Sequence, residues 1–435
     1  IEPISFKTLC YSISGRMEHR IFLKIVTSEE MKSLEDSCLK HGITYDDLME
    51  KAGHAVAKTA RELIGSVPGK KVLVLIGPGN NGEDGLVAAR YLTEWGAIVT
   101  GYILKKQLAH DDRLKLAQQH GMLRLDGSDD IELQKLNQEL DRSNLVIDAI
   151  LGTGNSRPLS GLIETVLLCL SNISCPVLSV DLPSGTNANN GTIDPATPTA
   201  TVTVALGFPK LAHVIPPGSE KSGRLIVADI GIPPDESQDI KLNLLTQKLV
   251  QSQLPVRSPQ GHKGTFGHAL VIGGSTTYPG AAYLATQAAL RTGTGLVTLA
   301  SPEKIYPILA SKLTEAIHQP LPDDESGGLT VESAAIIKEQ LSNYDSVAVG
   351  CGMGWSVSGK NFIEELCLDN PDFHQPLVID ADGLNNLSTI NDWWHRLSES
   401  VVLTPHPGEM ARLTNIPVNE IQSDRIRFVQ HWARE

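Results

Sequence analysis

A chain of 435 residues is too long for one ordinary domain, so two or three are expected. Hydrophobic residues at 41% with 20% charged describe a globular chain, and a net charge of −13 leaves no basic field for general nucleic-acid binding. That charge does not exclude a small anion held in a local pocket. Six cysteines stand at 10, 38, 169, 175, 351 and 367 with no Cys-x-x-Cys pair, so neither a disulfide framework nor a zinc site is indicated. A reducing cytoplasm is expected. No apolar run approaches the roughly 20 residues that span a bilayer.

Residues 1–20 read as an N-terminal extension without the order of a secretory signal, with Met17 as a start. Thr27-Ser28-Glu29-Glu30 is a capping box that opens a helix to about Lys40, closed by Gly42. A second helix is predicted from Tyr45 to Ile64, with Leu48, Ala52, Val56, Ala60 and Leu63 on one face. Short apolar strands follow at 72–76, 98–104, 145–149, 176–180, 201–206 and 224–229, several separated by helical segments. This alternation predicts an α/β fold with a doubly wound parallel sheet, whose ligands bind outside the carboxyl ends of the strands.

Between about 232 and 262 the pattern breaks, with Pro233, Pro234, Pro255 and Pro259 flanking a polar stretch. A domain boundary is placed there, giving domains at 21–235 and 236–435. A second βα series starts at His268, with further strands near 295–300, 345–350, 376–380 and 400–404. The last residues, from Arg425 to Glu435, read as an amphipathic helix with apolar positions at 426, 429 and 432. No strand or stop signal follows, so the chain reads as cut short.

Three strand ends carry chemistry in the first half. Gly77-Pro78-Gly79-Asn80-Asn81-Gly82-Glu83-Asp84-Gly85 joins a strand to a helix. Its glycines permit a sharp bend and close approach to a ligand, while its amides and carboxylates suit a hard cation or a polyhydroxylated ligand. Asp148 and Asp181 each end an apolar strand, in Asp148-Ala149-Ile150-Leu151-Gly152-Thr153-Gly154 and Asp181-Leu182-Pro183-Ser184-Gly185. A lone Asp there often caps the next helix; two of them beside the Asn-rich loop point to a ligand crevice.

These motifs, in this order, resemble the NAD(P)H-hydrate epimerase domain over roughly residues 21–235. The resemblance implies a Rossmann-like sheet and epimerisation at C6 of hydrated nicotinamide cofactors, NADHX or NADPHX. It implies a potassium ion held by Asn81, Asp148 and Ser184. It places hydrate contacts at Asn80, Asn81, Gly82, Glu83 and Asp84, at Gly152, Thr153, Gly154, Asn155, Ser156, Arg157 and Pro158, and at Asp181. One departure stands out: the family usually has Gly where this chain has Glu83, which either narrows the loop or points to solvent. Inversion at C6 needs a proton donor and acceptor near the hydroxyl. Asp181 is the expected acid/base and Asp148 chiefly the ion's ligand, with the exchange of these roles open. Arg157 is either a pyrophosphate ligand or a surface arginine.

In the second half, Gly273-Gly274-Ser275, Gly350-Cys351-Gly352-Met353-Gly354, Asp380-Ala381-Asp382-Gly383 and Thr404-Pro405-His406-Pro407-Gly408 lie at strand ends. Together they resemble the ADP-dependent NAD(P)H-hydrate dehydratase, a ribokinase-like domain, from about 237 onward. Gly350-Cys351-Gly352-Met353-Gly354 replaces the family's usual Gly-Pro-Gly-x-Gly. The resemblance places Ala281, Gly352 and His406 against the hydrate, and implies ADP as cosubstrate with Mg2+, giving AMP and phosphate. The family's later Lys-Gly turn and Gly-x-Gly-Asp motif do not occur after Glu409, so the ribokinase-like domain is expected to lack its C-terminal part and its dehydratase activity. The leading reading is a two-domain repair enzyme acting on a small molecule, with no nucleic acid or membrane partner and as a homo-oligomer. A small-molecule kinase and a non-catalytic nucleotide-binding module are the alternatives.

Overall fold

The computed structural model describes residues 11–13, 23–104, 111–154 and 157–435. Residues 1–10, 14–22 with the candidate start Met17, 105–110, and the candidate contacts Asn155 and Ser156 lie outside the described residues. The chain divides into two compact units, residues 1–254 and 255–435.

In the first unit the strands are β1 (Tyr11–Ile13), β2 (Leu23–Lys24), β3 (Lys71–Ile76), β4 (Ile98–Ile103), β5 (Leu123–Asp126), β6 (Leu145–Ala149), β7 (Val177–Val180), β8 (Val202–Leu206), β9 (Arg224–Ala228) and β10 (Asn243–Leu244). Eight of them form one sheet in the order β1-β9-β8-β7-β6-β3-β4-β5, parallel throughout; β2 and β10 form a separate antiparallel ribbon. The six predicted strands are all present. Two that sequence periodicity did not give, β1 and β5, are the sheet's two edges. Edge strand β5 reads Leu-Arg-Leu-Asp and is half exposed, so it lacks the apolar run of a central strand.

Alternate residues of β3 feed two cores. Val72, Val74 and Ile76 pack on one face of the sheet, Leu73 and Leu75 on the other. Helix α1 (Ser28–Cys38) starts with the expected capping box, in which the Glu30 amide donates to the Thr27 hydroxyl and the Thr27 amide to the Glu30 carboxylate. Helix α2 (Tyr45–Ile64) buries Leu48, Ala52, Val56 and Ala60 as the spacing requires. Helix α3 (Asn80–Glu94) begins inside the glycine loop.

The order reverses at β3 and β6, and the crevice outside their carboxyl ends is lined by Pro78–Asn81, Glu83, Asp84 and Ile150–Gly154, with Gly82 packed behind against Gly77. Two glycines set its depth. A Cβ on Gly77 would lie 1.8 Å from the Ile150 carbonyl oxygen, and one on Gly82 would lie 2.2 Å from that of Gly77.

The second unit has β11 (His268–Ile272), β12 (Leu296–Pro302), β13 (Ile317–Leu321), β14 (Ser346–Val349), β15 (Leu377–Ile379) and β16 (Val401–Leu403). They form a six-stranded sheet in the order β13-β12-β11-β14-β15-β16, again all parallel. Its unpredicted member, β13, is an edge strand that carries Pro320 and only one buried residue. Leu270 and Ile272 face one core and Val271 the other, so both faces of this sheet are covered too. The C-terminal stretch forms helices Val418–Ser423 and Arg425–Trp432; none of the second helix's residues is buried, and Val429 is exposed.

The crowding at Gly77 makes a sharp test. Gly77→Ala should destabilise the first unit by about 3 kcal/mol, the upper part of the usual overpacking range. Gly79→Ala, in the same loop with nothing within 4 Å of its Cβ position, should change stability far less. Urea unfolding of both variants reads the difference, and equal midpoints would contradict this packing.

Candidate active site

The crevice of the first unit opens into a cavity of about 1040 Å³. It is lined from three directions: α1 and the start of α2, the Pro78–Asp84 loop with Ile150–Gly154, and the end of β7 and β8 with Lys210. Asn80, Asn81, Glu83, Asp84, Gly152, Thr153, Gly154 and Asp181 line it, as the motifs suggest. Arg157 and Pro158 are exposed and do not.

Asp181 leaves β7 with φ of 61°, a left-handed conformation that a side chain rarely adopts. Its surroundings hold it there. The Asp181 amide donates to the Val204 carbonyl at 2.8 Å, and the His213 ring nitrogen Nε2 bonds the Asp181 carbonyl at 2.7 Å. The Leu206 amide donates to Asp181 Oδ1 at 3.0 Å, and the Lys210 ammonium donates to the same oxygen. Lys210 is completely buried, and its Nζ also donates to the Leu206 carbonyl at 3.0 Å.

His213 completes the arrangement. Its Nδ1 accepts from the Lys210 amide at 2.9 Å, so the proton resides on Nε2 and donates to Asp181. Burial, with the Lys210 charge beside it, holds the imidazole down at about 4, so this ring is neutral at physiological pH. Sequence reasoning missed both Lys210 and His213. The signal available was their place just after β8, at the same end of the sheet as Asp148 and Asp181.

Asp148 is fully buried and lies beneath the cavity rather than on its wall. Its oxygens accept from the Ser184 hydroxyl at 2.5 Å, the Ser184 amide at 2.8 Å and the Ser179 hydroxyl at 3.1 Å. Burial raises its carboxyl while these hydrogen bonds pull it down. The Ser184 hydroxyl oxygen also accepts from the Leu151 amide at 2.9 Å, so Ser184 ties the Asp148 strand end to the loop beside Gly152. Asn81 reaches the same loop: a Cβ on Gly152 would lie 3.1 Å from Asn81 Oδ1. The Asn81 amide nitrogen Nδ2 is buried and has no hydrogen-bond partner among the described residues.

Glu83 does neither of the things the sequence left open. It sits in the first turn of α3 with only 3% of its surface exposed, and its Oε2 accepts from Arg113 Nη1 at 2.6 Å. Arg113 also donates to Asp46. No left-handed backbone is needed at 83, so a side chain is tolerated there and is used to fasten Arg113 at the cavity wall.

Carboxylates outnumber cations around the cavity. Glu29, Glu35, Asp46, Glu83, Asp84 and Asp181 face Lys32, Arg113 and Lys210. Protons relieve part of this excess. Burial drives the Asp84 carboxyl well above the usual carboxylate range, with the charges of Asp181, Glu35 and Glu83 adding and Arg113 opposing. Burial likewise pushes Glu35 up to about 7, opposed by Lys210 and helped by Asp181 and Asp36.

In the second unit the strand ends carry Gly273, Gly350–Gly354, Asp380 and Thr404. Gly352 has φ of 70°, and a Cβ there would lie 2.7 Å from the Ala281 Cβ, so two of the three predicted contacts are neighbours. The Thr404 hydroxyl donates to Asp380 Oδ1 at 2.8 Å, linking β16 to β15. His406 is exposed and engaged in its own turn: its Nδ1 accepts from the Gly408 amide at 3.0 Å and its amide donates to Glu409 at 2.8 Å.

Residues 45–212 match the family model described as YjeF-related protein N-terminus, and residues 269–435 match the one described as NAD(P)H-hydrate dehydratase. The bifunctional NAD(P)H-hydrate repair enzyme of Moorella thermoacetica is 38% identical over 419 residues, covering 94% of this chain and 78% of that protein. The enzyme of the same name from Escherichia coli is 30% identical, covering 90% of this chain and 72% of that one. The chain belongs to the bifunctional NAD(P)H-hydrate repair enzymes. Its fold is the one this family implies, a Rossmann-like unit followed by a ribokinase-like unit. A solved structure of the ADP/ATP-dependent NAD(P)H-hydrate dehydratase from Bacillus subtilis is 31% identical, with a TM-score of 0.36 over 43% of this chain and 61% of that one. Within this repair-enzyme scaffold, among the described residues, no helix is long and apolar enough to cross a membrane, and Cys38, Cys169, Cys175, Cys351 and Cys367 are free.

The raised Glu35 carboxyl sets a pH dependence of stability. The folded chain keeps a proton up to about pH 7 that the unfolded chain releases near its ordinary value of 4.5. The stability this group contributes is fully present below 4.5 and is lost as pH rises through about 7. A Glu35→Gln variant lacks that loss. Its melting temperature should therefore gain steadily on that of the unsubstituted protein across this window, read by calorimetry at matched ionic strength. A difference that stays flat with pH would contradict the protonation assigned to Glu35.

Proposed function

We propose that the cavity of the first unit inverts C6 of hydrated NADH and NADPH, and that the second unit belongs to a domain that, when complete, dehydrates the S form with ADP as cosubstrate. The observation that carries the first part is the Asp181 carboxylate on the wall of a nucleotide-sized cavity, ion-paired to a fully buried lysine and facing the Asn80–Asp84 loop. Inversion requires the C6 hydroxyl to leave and to return on the other face. Asp181 is placed to take or give the proton that this demands, with its backbone locked by His213 and its carboxylate by Lys210. Asp148 is fully buried and held by hydrogen bonds from Ser179 and Ser184, which favours a supporting role for it over direct acid/base work.

A potassium ion at Asn81, Asp148 and Ser184 is part of this reading. The fit rests on the partnerless buried amide of Asn81. An amide's oxygen and nitrogen exchange places by a half-turn, which would aim Oδ1 at the same orphaned position. The set then consists of oxygen donors, as a hard monovalent cation prefers. Such an ion would offset negative charge near the cavity; this chain's residues still bind, orient and move the proton.

For the second unit the reading includes Mg2+ with ADP. Magnesium is usually bound through one or two carboxylates together with substrate phosphates, and Asp380 and Asp382 are carboxylates at the sheet edge beside Gly350–Gly354. A cytoplasmic setting is supported by the free cysteines.

Asp181→Ala in the full chain should lower the conversion of R hydrate by about 10²–10⁴-fold. The assay supplies an S-specific dehydratase in excess and follows the return of reduced nicotinamide absorbance. If the unsubstituted chain converts R hydrate no faster than spontaneous exchange, the epimerase reading fails. For the ion, crystals soaked in rubidium should give an anomalous peak between Asn81, Asp148 and Ser184, weakened in Asp148→Asn. An empty map at saturating salt counts against it.

A further inference from the structure

We infer that Glu35 of α1 is a second catalytic residue of the epimerase, exchanging a proton with the C6 hydroxyl on one face of the hydrate ring while Asp181 serves the other. This rests on the epimerase reading above and deepens it.

Helix α1 turns one face to the cavity: Ser28, Met31, Lys32 and Glu35, at the i, i+3, i+4, i+7 spacing, all line it. Glu35 thus comes from a different element than Asp181, which sits at the end of β7. The two carboxyls also differ in what holds them. Asp181 is tied by Leu206 and Lys210, and Glu83 by Arg113. Among the described residues Glu35 makes no hydrogen bond and no ion pair, so its oxygens are available to a ligand. A half-buried carboxyl facing a cavity without a protein partner is costly for folding and serves no packing purpose there.

Inversion by departure and return of a hydroxyl demands proton transfer on both faces. A single carboxyl can remove a hydroxyl and restore it on the same side, which gives exchange with retention. With Glu35 as the acid, its proton passes to the C6 hydroxyl oxygen. The C6–O bond breaks with its electron pair leaving on oxygen as water, and the N1 lone pair forms a C6–N1 double bond. On the other face a water oxygen bonds to C6 while Asp181 takes its proton, and the C6–N1 pair returns to N1. Glu35 ends ionised and Asp181 protonated; the reverse passage, or exchange with solvent, resets them.

The charges around Glu35 suit this division. Asp36 on its own helix, Asp84 on α3 and Asp181 at β7 are the neighbouring carboxylates, Lys210 is the neighbouring cation, and Tyr45 and Cys38 are also within electrostatic reach. Lys210 donates directly to Asp181 rather than to Glu35, so the two carboxyls meet different partners.

The test is Glu35→Gln in the full chain, assayed in ¹⁸O-labelled water with each epimer separately and corrected for spontaneous exchange. Interconversion should fall by about 10²–10⁴-fold. The epimer whose hydroxyl faces Asp181 should still exchange its oxygen with solvent, with retention, while exchange from the other epimer is lost. Glu35→Asp should recover part of the interconversion. Interconversion near that of the unsubstituted chain would overturn the proposal. Loss of exchange from both epimers would also overturn it, because Glu35 would then support binding or fold rather than one face. An unsubstituted chain that interconverts nothing would overturn the epimerase reading itself.

Discussion

A lysine ammonium taken fully out of water must find a partner, and Lys210 finds Asp181. Most of the candidate site follows from that pairing. The carboxylate is fixed at the cavity wall instead of turning to solvent. Lys210 is reached only because the residues after β8 fold back beneath the end of β7, where His213 bonds the Asp181 carbonyl and the Lys210 amide bonds His213. A left-handed Asp costs on the order of 1–2 kcal/mol of backbone strain. Three hydrogen bonds and the ion pair offset it, which is how a strained residue persists at a site that needs its side chain in one place.

With the buried Lys210 committed to Asp181, the remaining cavity carboxyls must be neutralised in other ways. Glu83 uses Arg113, whose planar guanidinium bridges it to Asp46. Among the described residues Asp84 and Glu35 make no ion pair, and burial favours their protonated forms against the more distant charges of Arg113 and Lys210. The result is a cavity in which ion-paired carboxylates stand beside carboxyls that burial pushes toward the protonated form. Environments that push neighbouring carboxyls apart in this way are what assign acid and base roles in proton-transfer sites generally. It also lowers the negative charge that a pyrophosphate-bearing ligand would meet.

Much of this was legible in the sequence, because strand ends in a parallel sheet announce themselves. The apolar runs of β3, β6 and β7 stop at Gly77, Asp148 and Asp181, and those breaks are where the crevice lies. The predicted helices α1 and α2 carried their caps and apolar faces openly. What escaped notice has physical reasons. Edge strands β5 and β13 are half exposed and so lack the run of buried residues that marks a strand. Lys210 and Glu35 are single charged residues outside any motif, and such a residue is ordinarily solvated. Only the fold brings Lys210 to Asp181, 29 positions away in the chain, and turns Glu35 inward on α1. Glu83 shows the converse: a departure from the family's usual glycine left the backbone geometry open, and the helical first turn accepts it without strain.

The two units repeat one solution with different residues. Each is a parallel sheet covered on both faces, and each leaves a strand into a residue other than glycine with positive φ, Asp181 after β7 and Ala381 after β15, at 61° and 50°. In each, glycines at the strand ends admit backbone where a Cβ would collide: Gly77 after β3 against Ile150, and Gly350 after β14 against the Asp380 carbonyl at 2.0 Å. Both features spend stability at the carboxyl edge of the sheet, the one place where the covering helices leave the strands open. The cost is met by the buried core behind them, Val72 to Ile76 in one unit and Leu270 to Ile272 in the other. The same division explains why the core was readable from hydrophobic pattern alone while the site was not. A core residue is chosen by its own apolarity, but a site residue is chosen by neighbours that only the fold supplies.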